Sequence, residues 1–202
     1  MARETPAPWA EVVPQSGKMT AEQLLALPGD DGWQYELVDG KLVRMPASGG
    51  EASVIAARLL IALGGFVEAN ALGSVTGADG TFDLTQPGAA DETALVPDLA
   101  FVRADRVPPC SSPEYARAWR LAPDLVAEVV SPGQFRPEMA DKAQRYLAAG
   151  VRLIWMVWPK QQQVDVWQQG ADQPVATLTS TDVLDGLDVV PGFTYPLASL
   201  FR

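Results

Sequence analysis

Two acids in this chain stand where acids are rare. Asp98 interrupts Leu95-Val96-Pro97-Asp98-Leu99-Ala100-Phe101-Val102, and Glu128 interrupts Leu125-Val126-Ala127-Glu128-Val129-Val130. Carboxylates enter such apolar surroundings when they are paired or hold a cation, because desolvation otherwise drives them neutral. Two of them on adjacent strands repel each other, and a divalent cation resolves that repulsion. Taken singly, each acid reads more simply as a strand-end carboxylate, wetted or paired with an arginine. A third element changes the balance. In the helix expected after Glu128, Met139, Ala143 and Leu147 form an apolar stripe at i, i+4 and i+8. Lys142 falls at its border, roughly 100° from the stripe centre, with Tyr146 four residues on along the same border. From there an ammonium can reach over the end of the Glu128 strand to both carboxylates and hold a water. The plain alternative is a solvated lysine paired with Glu138 at i−4. Glu36, in Trp33–Val38, shares a strand face with Gln34 and Val38. Spacing alone leaves it open between an exposed hairpin residue and a member of the same site.

The composition narrows the chemistry. The 202 residues include no histidine and one cysteine, with 25 Asp+Glu against 15 Lys+Arg for a net charge of -10. A Ser-His-Asp or Cys-His relay is excluded, as is a zinc site built on histidine or on several cysteines. Acid–base work is left to carboxylates, lysine, tyrosine or water on a metal. The acid excess argues against a broad, non-specific grip on nucleic acid. It leaves room for a local basic groove, for which Arg103, Arg106, Arg117, Arg120, Arg136 and Arg145 are the candidates. Leu59–Val67 and Leu153–Trp158, the longest compact apolar stretches, fall short of the ~20 residues that cross a bilayer. Met1-Ala2-Arg3-Glu4 does not open a secretory signal, and Cys110 has no partner in its own chain. The expectation is a reduced, cytoplasmic protein that does not engage a membrane.

The elements that must position these residues read as a mixed α/β fold in one domain. Residues 1–18, with Pro6, Pro8 and Pro14, read as a flexible N-terminal arm, and order begins at Thr20, an N-cap with Gln23 three residues on. A helix over Ala21–Leu27 stops at Pro28-Gly29. Asp39-Gly40 between Trp33–Val38 and Lys41–Met45 predicts a hairpin. Glu51–Ala71 reads as the longest helix, loosened at Gly64-Gly65, with Gly73 near its C-cap. Strands follow at Ser74–Thr76, Thr81–Leu84 and Leu95–Val102, then a short helix at Glu114–Trp119 and a strand at Leu125–Val130. Helix Glu138–Ala149, strands Val151–Val157 and Val164–Gln168, one or two short strands over Val175–Leu187, and a helical turn at Leu197–Leu200 complete the chain. Six Trp, six Phe and four Tyr are enough to anchor a core. They also allow an apolar dimer face near Trp155, Trp158 and Trp167, and a homodimer is expected.

Successive motifs resemble one family. They are Tyr35-Glu36-Leu37-Val38-Asp39-Gly40, Val96-Pro97-Asp98-Leu99-Ala100-Phe101, Pro123-Asp124-Leu125 through Glu128-Val129-Val130-Ser131-Pro132, Asp141-Lys142 running into Tyr146-Leu147, and Pro191-Gly192-Phe193 through Leu200-Phe201. In this order, over about Met19 to Phe201, they are similar to the Uma-two family, restriction-endonuclease-like proteins of the PD-(D/E)XK nuclease superfamily. The resemblance implies a restriction-endonuclease-like core, a mixed β-sheet flanked by helices with an N-terminal helix and hairpin, over residues 19–202. It implies that Asp98 and Glu128 are metal ligands for Mg²⁺ or Mn²⁺. The superfamily's lysine usually sits two residues after the second acid; here that position is Val130, and the resemblance implies that the lysine stands on the following helix as Lys142. It also implies that Glu36 is the early acid that completes the site. A metal-dependent nuclease acting on nucleic acid, DNA rather than RNA, is the implied function. A catalytically silent nuclease-like fold used for binding or assembly is the alternative, and a purely structural salt-bridge cluster is the plainest reading. One departure stands out: relatives often carry a histidine before the long helix, and Gly49-Gly50-Glu51-Ala52 has none.

Overall fold

A computed structural model describes residues 10–27, 32–46 and 48–202. Strand β1 (Glu11–Val12) pairs antiparallel with Arg44 and Val43. Of the arm expected over residues 1–18, residues 1–9 lie outside the described residues, while this part forms a sheet edge, continued by Val13 N–H donating to Leu42 O. Helix α1 (Ala21–Leu25) starts with the expected capping box: Thr20 accepts from Gln23 N–H and Gln23 accepts from Thr20 N–H. The expected stop at Pro28-Gly29 lies outside the described residues.

Strands β2 (Trp33–Val38) and β3 (Lys41–Pro46) form the expected hairpin. Asp39 (φ 50°) and Gly40 (φ 73°) take the left-handed conformations that a tight two-residue turn requires. Helix α2 (Gly50–Ala69) is unbroken through Gly64-Gly65 and ends two residues before the expected boundary, with Asn70 Nδ2 donating to Phe66 O. Strand β4 (Gly73–Gly77) begins at the glycine expected near the helix cap. Its glycine is needed for another reason: a Cβ on Gly73 would lie 2.0 Å from Val102 O.

Strand β5 (Phe82–Asp83) follows, and then the expected single strand Leu95–Val102 divides. Strand β6 (Ala94–Leu95) joins the hairpin sheet, whereas β7 (Leu99–Arg103) joins the central sheet. Pro97, which has no N–H to give a ladder, lies at the switch, so the apolar run read as one strand serves two sheets. The helix expected at Glu114–Trp119 is a single 3-10 turn over Pro113–Ala116; Trp119 instead bridges Phe82.

The remaining elements are β8 (Leu125–Val129), α3 (Arg136–Ala149), β9 (Leu153–Trp158), β10 (Gln163–Gln168), β11 (Ala176–Thr179), β12 (Val183–Asp185), β13 (Thr194–Pro196) and α4 (Leu197–Leu200). The central sheet has the order β11-β10-β9-β8-β7-β4, with β8–β9 parallel and the other pairs antiparallel. A parallel pair needs a crossover, and α3 supplies it. The hairpin sheet has the order β1-β3-β2-β6-β5, and β12 pairs with β13 separately.

Alternation sorts the central strands between two cores. Leu99, Phe101, Leu125, Ala127 and Trp155 pack under α2 through Ile55, Leu59, Leu63 and Val67. Ala100, Val102, Val126 and Met156 face the other way, against α3 and the Val38, Val43 and Met45 side of the hairpin sheet. Although α2 is long and apolar enough to cross a membrane, this buried stripe lies on the sheet. Trp155, Trp158 and Trp167 are 0–5% exposed and belong to the two cores, so no dimer face lies there.

Candidate active site

The layer between the central sheet, α3 and the hairpin sheet gathers all four residues that the sequence singled out. Glu36 comes from β2 on the face opposite Leu37, which packs instead toward α1. Asp98 follows Pro97 at the switch between sheets, on the side of Ala100 and Val102. Glu128 comes from β8, and Lys142 from α3, one turn before Tyr146. All four are mostly or wholly buried; Lys142 is 2% exposed and Glu36 0%. The Lys142 ammonium lies 2.9 Å from Glu128 Oε1 and 3.1 Å from Glu36 Oε1, so the solvated Lys142–Glu138 pair is not formed. Glu138 turns back to accept from Phe135 N–H at the start of α3. Main chain secures two of the carboxylates: Val96 N–H donates to Glu36 Oε1 at 2.9 Å, and Val129 N–H to Asp98 Oδ2 at 2.7 Å. Tyr146 Oη donates to Glu128 Oε1 at 2.7 Å.

Asp98, Glu128 and Lys142 open on one small cavity of about 60 Å³, whose lining also includes Gln34, Met45, Ser48, Ser131 and Gln134. Burial raises the Glu128 carboxyl from 4.5 to about 7; Lys142 opposes the rise, while Asp98 and Glu36 add to it. Asp98 is also raised by burial, against the pull of Val129 N–H and Lys142. Burial would discharge Lys142, but Glu128 and Glu36 outweigh it, and the ammonium is held above its usual range. Burial and the Glu128 charge push the Tyr146 hydroxyl well above the usual phenol value, so it remains a donor. Three carboxylates thus share one buried cation, which leaves the cluster with surplus negative charge. Among the described residues, no group of three or more His, Cys, Asp or Glu side chains forms a ready-made metal cluster.

A family model described as "Putative restriction endonuclease" matches residues 21–198, nearly the whole chain. The chain belongs to the Uma2 family. The crystal structure of a putative nuclease belonging to DUF820 from Anabaena variabilis superposes with a TM-score of 0.72 at 20% identity, covering 91% of this chain and 97% of that one. The fold is therefore shared with that protein. No curated protein matches the chain.

In this Uma2 protein five of the six arginines considered for a basic groove are held in ion pairs. Arg103 pairs with Asp105, Arg106 with Asp124, Arg120 with Asp83, Arg136 with Asp165, and Arg145 with Asp39 and Asp141. Each of these guanidiniums is engaged by an acid of the chain itself. Neutral donors, Gln34, Ser48, Ser131 and Gln134, line the cavity instead. The stretch that lacks the histidine borders the site, since Ser48 lines the cavity and Gly49 is the N-cap of α2. Tyr146 lies on the Lys142 border of α3, and its i+4 spacing from Lys142 is the sequence signal for its place in the site. A further buried acid carries the same signal as Glu128: Asp165 sits between Val164 and Val166 much as Glu128 sits between Ala127 and Val129.

Proposed function

We propose that this Uma2 protein is a metal-dependent nuclease that hydrolyses phosphodiester bonds at the Asp98–Glu128–Lys142 cavity, with DNA as the first substrate to test. The observation that carries this reading is that Asp98 Oδ1 and Glu128 Oε2 accept no hydrogen bond from described residues, while the second oxygen of each is held. Both carboxyls face a common cavity under excess negative charge. Mg²⁺ or Mn²⁺ suits such a place: an all-oxygen donor set, one or two carboxylates, and room for water and phosphate oxygens. Asp98 and Glu128 would hold the cation, which would supply Lewis-acid polarisation of a phosphoryl oxygen and a more acidic water.

The chain's own residues do the rest. Lys142, kept charged by its two carboxylate partners, presents a fixed cation at the cavity wall where negative charge develops on the phosphoryl oxygens. Glu36 holds Lys142 in that position and is itself anchored by Val96 N–H. The test is hydrolysis of DNA and RNA with Mg²⁺ or Mn²⁺ by the wild type, Asp98→Asn and Lys142→Ala. Loss in both variants is the expected result, and equal activity in all three overturns the proposal.

The second reading, a silent nuclease-like fold for binding or assembly, is favoured by the net charge of -10 and by the engaged arginines. A wild type that binds neither Mn²⁺ by calorimetry nor DNA would decide for it.

A further inference from the structure

The hydroxyl of Tyr146 is used in a way that a core tyrosine need not be. Its side chain is fully buried, one turn after Lys142, and donates to Glu128 Oε1 at 2.7 Å. The same oxygen receives the Lys142 ammonium at 2.9 Å. A carboxylate oxygen offers about two lone-pair directions, so these two donors fill Oε1. Glu128 cannot turn or engage a cation through both oxygens without breaking charge-assisted hydrogen bonds in a buried place, where such bonds are strongest. Asp98 is fixed in the same sense, by main chain: Val129 N–H takes Oδ2.

Resting on the nuclease reading above, we propose that Tyr146 is a positioning residue which, with Lys142, reserves Oε1 of Glu128 for the protein and makes Oε2 a one-oxygen ligand. Each acid then offers the cation a single, pre-aimed oxygen. That suits a small octahedral ion that keeps several of its waters.

The experiment titrates Mn²⁺ alone, by calorimetry, into the full chain as wild type and as Tyr146→Phe, with thermal melts of both. Partners that orient a metal ligand are worth about 10- to 100-fold in affinity, and a weakening of that size in Tyr146→Phe is expected. A lower melting temperature with unchanged Mn²⁺ affinity identifies a structural tyrosine and overturns the inference. A folded wild type that binds no Mn²⁺ overturns the nuclease reading itself, before the variant is considered. A second measurement needs no variant. In wild type carrying ¹³C-carboxylate glutamate, the infrared difference on adding Mn²⁺ should show the wide separation of carboxylate stretches typical of one-oxygen binding. A narrow, two-oxygen separation overturns the proposal.

Discussion

Two buried acids on strands that flank β9, Glu128 on β8 and Asp165 on β10, meet the same problem in opposite ways. Both face α3 from within apolar strands. At Asp165 each oxygen has a donor from the protein: Oδ2 accepts from Arg136 and from Trp158 Nε1 at 2.8 Å, and Oδ1 from Thr177 at 2.6 Å. Arg136 also stacks over the Trp158 ring and bonds Gln163. One acid faces one cation, and the cluster ties the start of α3 to the edge of the sheet. Around Glu128, three carboxylates share Lys142, and two oxygens are left toward a cavity. Burial of charge therefore does not distinguish structure from function in this fold. The distinction lies in whether the charges balance and whether every acceptor is used.

Removing the single cation from the unbalanced cluster should have the largest effect. Lys142→Ala leaves buried acids without a partner, and breaking a buried pair from one side costs about 3–5 kcal/mol. Urea unfolding at pH 8 measures the loss. The same variant should recover much of it at pH 5, where Glu128 takes up a proton. A small loss, independent of pH, would mean that the acids are not charged together.

Next comes the pH dependence of the wild type. The Glu128 carboxyl stands near 7 when folded against 4.5 in its ordinary state, so the folded chain holds a proton that the unfolded chain has released. Its contribution to stability is fully present below about 4.5 and is lost as pH rises toward 7, and Asp98 shifts in the same direction. At ~1.4 kcal/mol per unit, the metal-free protein should lose on the order of 3 kcal/mol between pH 4.5 and 8. A cation competes with that proton, so Mn²⁺ affinity should rise as pH climbs to 7 and then level off. Denaturation and calorimetry at several pH values read both slopes; an Mn²⁺ affinity flat from pH 5 to 8 would contradict the assignment of Glu128 as a ligand.

The conservative swap Asp→Asn then separates the two kinds of buried acid. Asp165→Asn removes the charge that balances Arg136 and should cost about 1.5–3 kcal/mol, the range for hydrogen bonds to charged groups, with Mn²⁺ affinity unchanged. Asp98→Asn relieves repulsion and can still accept from Val129 N–H, so its stability should change by less than ~1 kcal/mol while Mn²⁺ affinity falls. Equal destabilisation by the two would erase the difference between the clusters.

What the sequence carried of this picture follows the range of the forces involved. The Thr20 capping box, the Asp39-Gly40 hairpin and the α3 stripe are local, and their residues state them. Asp98, Glu128 and Lys142 were legible because a charge inside an apolar pattern is conspicuous. The division of Leu95–Val102 between two sheets was not, since Leu95 and Leu99 are alike as strand residues and only the partners of β6 and β7 separate them. The partners of the arginines are hidden for the same reason: a guanidinium's acid, such as Asp83 for Arg120, is set by tertiary approach across 37 positions.

The smallest effect tests whether the engaged arginines are lost to substrate. Arg145 bridges Asp141 on its own helix and Asp39 in the hairpin turn, next to the face that carries Lys142. Exposed pairs of this kind contribute under ~1 kcal/mol, so Arg145→Ala should barely alter stability or Mn²⁺ affinity. A phosphate, however, competes for a guanidinium on similar terms to a surface carboxylate. If Arg145 changes partner when nucleic acid binds, Arg145→Ala should reduce the slope of log affinity against log salt by about 1. An unchanged slope would mean that the acids keep their arginine, and that affinity rests on the cavity and its neutral donors.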